Sequence, residues 1–187
     1  MRRFTLMCAA ALVAATAGCA DVSPYRYWQQ YDMVAPTVSA NKEFSDELID
    51  IRFWMGKKRI HFELVNKSGA PLKLSWDRAV YHHIDGGSHA LADARSIFTR
   101  DNVAPPPTEV APGGTIRDYV APVKNVENLE EWTWYVYPLF DQVSERAYRN
   151  RGKTFGLDLP VTAGEVTRTY AFRFRVVTVQ PHVDKLG

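Results

Sequence analysis

Cysteine is nearly absent from this chain, and so is any sustained helical period. Only Cys8 and Cys19 occur among 187 residues. Cys8 lies in an N-terminal segment expected to be removed, which leaves Cys19 without an intramolecular partner and excludes a disulfide-stapled scaffold. After the N-terminal segment, no run approaches the ~20 apolar residues that a membrane-spanning helix needs. Catalytic signatures are missing too. No G-x-S-x-G elbow occurs. The Arg151-Gly152-Lys153-Thr154 run fails as a phosphate loop, because Ala147 stands where the motif needs glycine and Thr154 begins a strand pattern rather than a helix. Nor is there an excess of one charge. The chain has 23 Lys+Arg against 21 Asp+Glu, and loss of Arg2 and Arg3 with the N-terminal segment leaves 21 against 21. A neutral body of this kind argues against electrostatic binding to nucleic acid or to anionic lipid headgroups.

What the sequence does contain begins at its N-terminus. Arg2 and Arg3 precede an apolar run from Phe4 to Ala15, followed by small residues, the layout of a secretory signal peptide. Ala17-Gly18-Cys19 resembles the lipobox of bacterial lipoproteins, in which the cysteine is acylated and becomes the mature N-terminus; Thr16 stands where such boxes usually carry leucine. Ala15-Thr16-Ala17 also satisfies the A-x-A pattern of ordinary cleavage. A lipid on Cys19 would account for a lone thiol in an exported chain. Ala20 rather than aspartate after the cysteine favours the outer membrane, by similarity to enterobacterial sorting. The expected organisation is a signal peptide over 1–18, an acylated N-terminus and tether over 19–44, one domain over 45–180 and a tail over 181–187. Tyr25, Tyr27, Trp28 and Tyr31 are too aromatic for an inert linker: docking of some of them onto the domain is expected, the alternative being a membrane-interface or partner-contacting segment.

From residue 46 the pattern is that of strands. Residues 48–54 and 59–65 alternate, with Ile60, Phe62 and Leu64 on one face; 72–76 resumes the period of two. Further strands are expected over 116–120, 132–137 (ending at Pro138), 154–159 (ending at Pro160) and 165–177, where Val166, Tyr170, Phe172, Phe174 and Val176 share a face opposite Arg173 and Arg175. The one helix candidate is the short polar segment 141–151. Seven to nine short strands with frequent turn signals predict an all-β fold, a single antiparallel immunoglobulin-like β-sandwich. Loops 103–115 and 141–153 are expected to carry specificity, by position.

Trp76-Asp77, Tyr81, Gly87-Ser88-His89, the Gly152-Lys153-Thr154-Phe155 run and Leu157-Asp158-Leu159-Pro160 resemble bacterial lipoproteins that carry one immunoglobulin-like sandwich behind a lipobox. The likeness spans roughly residues 45 to 178. It implies a lipid-anchored envelope protein and carries no catalytic residue.

Two clusters remain as candidate sites. In residues 81–91, YHHIDGGSHAL, either Asp85-Gly86 or Gly86-Gly87 would serve as a two-residue hairpin loop. The first register sets His82 opposite His89, close enough to share Zn²⁺ or Cu²⁺ with an acid such as Asp77 or Asp93; the second separates them diagonally among apolar neighbours. Trp132, Trp134, Tyr135 and Tyr137 put aromatic rings on both faces of one strand, one face core and the other a covered face or a platform for a glycan or partner protein. The expected function is a lipid-anchored, non-enzymatic binding or assembly module with no cofactor, joined to the membrane by its lipid. The alternative is a metal carrier or hydrolase built on His82 and His89.

Overall fold

Alternation of apolar and polar residues builds most of this molecule, since strand side chains point to opposite faces in turn. The computed structural model describes residues 27–98, 106–130 and 133–181. Thirteen strands form among the described residues: β1 (Tyr27–Ala35), β2 (Glu43–Ser45), β3 (Ile49–Met55), β4 (Ile60–Asn66), β5 (Leu72–Leu74), β6 (Val80–His82), β7 (Ser88–Asp93), β8 (Thr108–Val110), β9 (Thr115–Pro122), β10 (Val126–Glu130), β11 (Thr133–Val136), β12 (Thr154–Ala163) and β13 (Val166–Pro181). In β4 the buried apolar set is Ile60, Phe62 and Leu64, and in β13 it is Tyr170, Phe172, Phe174 and Val176, as the alternation predicts. Val166, expected on the same face, is exposed at the start of β13.

The described strands are antiparallel, but they do not make an immunoglobulin-like sandwich. Nine follow one another in a single path, β1-β13-β12-β6-β7-β9-β4-β3-β2, nearly closed into a barrel, with β5 and β8 branching from β12. The joint is β7. Its first half pairs with β6 through Tyr81↔His89, and its second half with β9 through Leu91↔Pro122 and Asp93↔Val120. One strand therefore belongs to both walls, where a sandwich would keep two separate sheets. Period-two burial is common to both architectures, so the alternation could not separate them.

Both edges of the path are drawn together by short backbone contacts. Met33 and Ser39 exchange N–H···O bonds of 2.9 and 3.0 Å, and the Phe53 amide donates to Lys42 O at 3.0 Å. At the opposite end of β1, Tyr27 N donates to Gln142 O at 3.1 Å, and Leu139 N to Lys57 O at 3.0 Å. Between these seams the interior is filled by rings: Phe53 meets Phe172 at 4.7 Å and Phe174 at 5.1 Å in near edge-to-face contact, and Phe140 meets Phe155 at 5.0 Å.

Three expectations change here. The stretch 19–44 is not tether throughout, because Tyr27–Ala35 is β1 and pairs with β13 along its length; Tyr31 docks inward against Phe155. β12 does not stop at Pro160. The Pro160 carbonyl accepts from Ser75 N at 3.1 Å, so the missing proline N–H points to that same side, where β12 changes partner from β6 to β5 and no ladder bond is lost. The helix candidate is a 3-10 turn over Glu145–Asn150, capped by Ser144, whose Oγ accepts from Arg146 N. Residues 1–26 and Trp132 lie outside the described residues, so Cys19 has no structural description. No helix among the described residues is long and apolar enough to cross a membrane.

Candidate functional site

The β6–β7 hairpin turns in neither of the two expected registers. His83 N donates to Gly87 O at 2.7 Å, and Gly86 N to His83 O at 2.9 Å, which makes Ile84-Asp85-Gly86 a three-residue loop. Gly86 takes the left-handed position at φ 96°, where glycine alone is unstrained. Ile84 is buried, so the loop is held by an apolar residue as well as by its glycine. The pairs are then His82↔Ser88 and Tyr81↔His89. His82 and His89 fall on opposite faces. Asp77 sits exposed in a 3-10 turn, and Asp93 is fully buried, holding Ser96 and Arg95. The structure thus does not bring His82, His89 and Asp77 together. Among the described residues, no group of three or more His, Cys, Asp or Glu side chains could hold a metal ion.

Each face of the hairpin uses its histidines differently. On the outer face, His82 Nε2 lies 2.8 Å from Asp158 Oδ2, Ser88 Oγ lies 3.3 Å from His82 Nδ1, and Arg173 Nη1 lies 2.8 Å from Asp158 Oδ1. Partial burial pushes the Asp158 carboxyl up, but hydrogen bonds from His82 and Arg173 outweigh it and hold the group below its ordinary value. The Ser-His-Asp order invites comparison with a nucleophile relay, yet the hydroxyl contact is long for an O–H···N bond. The row's geometry cross-links β6, β12 and β13. On the inner face, the His83 and His89 rings stand 6.3 Å apart, and burial holds both imidazoles towards the neutral form. Beneath them the buried Tyr81 hydroxyl has no hydrogen-bond partner, and desolvation raises its pKa strongly.

A second arrangement lies on the outside of β3, β4 and β9. Trp54 faces His61 across β3–β4, and His61 faces Tyr119 across β4–β9. The Trp54 and His61 rings are stacked, 8° from parallel with centroids 5.9 Å apart. Arg59 lies over Tyr119 at 4.4 Å and near Phe98 at 5.8 Å, while Phe98 meets Trp134 edge-on. The β10–β11 hairpin adds Tyr135, which carries the Lys58 ammonium 4.2 Å above its ring, and Tyr137, whose hydroxyl donates to Glu127 at 2.6 Å. Of the expected aromatic strand, Trp134 is half-buried, and Tyr135 and Tyr137 are 39% and 43% exposed. The two tyrosine rings meet at 71°, so they do not form a coplanar platform. Trp54, His61, Tyr119 and Arg59 were not singled out from the sequence. Their signal was the polar-side position in strands whose other side is core, where an aromatic residue has no packing reason to be.

The chain matches no family model, no curated protein and no solved structure in the comparisons made with each.

Proposed function

We propose that this protein is a lipid-anchored, non-enzymatic binding module of the bacterial cell envelope. The observation that carries this reading is the position of Ala17-Gly18-Cys19 only eight residues ahead of Tyr27, where β1 begins. An acylated Cys19 would place the lipid immediately before the folded body. The likeness of Ala17-Gly18-Cys19 to a lipobox supports the same reading, and Ala20 supports the outer membrane, with the domain facing the periplasm.

The binding role is supported by the outer aromatic and cationic face. Trp54, Phe98, Tyr135 and Tyr137 are exposed there beside Arg59 and Lys58. Tyrosine, tryptophan and arginine are the residue types that dominate protein interface energies. The edge-to-face tyrosines favour another envelope protein over a glycan, which stacks on flat, parallel rings. Palmitate labelling in a Gram-negative host tests the anchor: label on the wild-type chain and none on Cys19→Ser is expected. An unlabelled wild-type chain recovered free in the periplasm would overturn it.

A further inference from the structure

Resting on the lipid-anchored reading above, we infer that the end of the barrel around Tyr27 docks directly on an anionic phospholipid surface. Chain length sets the first limit. Eight residue steps separate Cys19 from Tyr27, and at the extended rise of ~3.3–3.6 Å per residue they reach about 28 Å at most. The 19–44 tether expected from sequence would have let the domain stand well clear of the membrane. β1 removes most of that length.

The chemistry of this end suits an anionic lipid headgroup. The β3–β4 turn runs Gly56-Lys57-Lys58-Arg59, and it meets the β1 end through Gln142, which accepts from Tyr27 N and donates from Nε2 to Lys57 O at 3.2 Å. Next to it, the Tyr27 ring meets Tyr148 of the 3-10 turn at 5.2 Å. Arg146 and Arg149 of that turn are exposed and three residues apart, which aligns them on one side of a 3-10 helix. Of the cations in segments 56–59 and 141–151, Lys58 and Arg59 lie over the Tyr135 and Tyr119 rings and Arg151 beside Asp32 and Val34, which leaves Lys57, Arg146 and Arg149 with Asp141 and Glu145 nearest this end, although the mature chain is balanced. Trp28 is 53% exposed here, and Val143 and Tyr148 are exposed on the segment that holds Gln142. Indole and phenol rings flanked by cations are the side chains that settle at a membrane–water interface. A cleft of roughly 200 Å³ opens at the same place, lined in part by Trp28, Gln30, Lys57, Gln142, Thr178 and Gln180. Its side-chain amides suit the oxygens of a phosphodiester carrying hydroxyl groups.

Because screening acts within ~8 Å at physiological salt, such cations gain from the headgroups only if the barrel end touches them. A tether of eight residues, with a flexible-chain span of roughly 15 Å, keeps the barrel end within reach of that contact without imposing it.

Vesicle flotation combined with quenching by brominated acyl chains tests this on the full lipidated chain. The probes are vesicles of phosphatidylcholine alone and of phosphatidylcholine mixed with phosphatidylglycerol. Flotation with phosphatidylcholine alone reports the anchor. The difference in quenching between wild type and Trp28→Phe reports the docking. A Trp28-dependent quench is expected in the mixed vesicles, falling by more than half in Lys57→Glu/Lys58→Glu and separately in Arg146→Glu/Arg149→Glu. Near-ultraviolet circular dichroism checks that each variant keeps its fold. Flotation on both vesicles without that quench would overturn the docking and leave the anchor standing. Flotation on mixed vesicles alone, with the quench, would support the docking and remove the anchor. A Trp28 emission change that follows protein density instead of lipid composition would mean that a second copy covers this end, and would overturn the proposal.

Discussion

At Gly156 there is no room for one more carbon. A Cβ there would fall inside contact distance of the Phe172 carbonyl oxygen and press on Arg173 Cδ and Cα. Without it, the Arg173 side chain lies across β12 and reaches Asp158, donating also to Phe172 O at 2.9 Å. Gly156→Ala should therefore cost about 1–3 kcal/mol, the usual range for overpacking, read as a lower urea midpoint with an unchanged slope. His83 carries a different prediction. Burial lowers its pKa below the ordinary 6.5, so the unfolded chain takes up the proton first as pH falls. The stability this histidine contributes is complete above 6.5 and is lost as pH falls through the folded value. His61 and His89 are lowered in the same sense, and Asp118, raised by burial, acts oppositely. Those groups are common to the wild type and His83→Gln, so their comparison isolates His83. The drop in Tm between about pH 7.5 and about pH 5 should be smaller in the variant. An equal drop would show that His83 contributes nothing to the pH dependence.

Among the elements, β3, β4 and the Tyr170–Val176 stretch of β13 were legible because each alternates against a core. β1 was not. Its pairing with β13 shifts register between Gln30 and Tyr31 and again between Met33 and Ala35, and each shift breaks the period of two that marks a strand. Only the aromatic content of residues 25–31 hinted that the segment folds back. The hairpin register was hidden for another reason: three overlapping turn codes share Gly86, and the one used draws on the burial of Ile84, a tertiary contact no local pattern displays. The aromatic face was half visible, since the Tyr135 and Tyr137 strand stood out while Trp54 and His61 lay in strands read only for their alternation. β1 also yields a prediction. Met33 is fully buried and holds the seam to Ser39. A chain begun at residue 45, where the sequence pattern places the domain boundary, would lose β1 and expose Phe174 and Val176. It should fail to unfold cooperatively in urea, whereas a chain containing residues 27–181 should do so. A cooperative transition in the shorter chain would show that β1 is dispensable.

For the whole molecule, all-β and antiparallel followed from local sequence, but closure did not. Whether alternating strands curl into one path or stack as two sheets depends on long-range pairing, here the shared strand β7 and the contacts at Ser39 and Gln142. The curled path has a functional consequence. It brings β1 to the barrel rim, sets the Tyr27 end of β1 near the Gly56-Lys57 turn, and leaves the aromatic face of β3, β4 and β9 on the outer wall. In this account the lipid holds the body to the membrane and the wall meets the partner. The most direct measurement is the intact mass and N-terminal sequence of the mature chain recovered from its envelope. The account predicts a chain beginning at Cys19 and heavier than its sequence by the acyl groups on that cysteine. A mature chain beginning at Gly18 with an unmodified Cys19, the product of ordinary cleavage after Ala15-Thr16-Ala17, would contradict it.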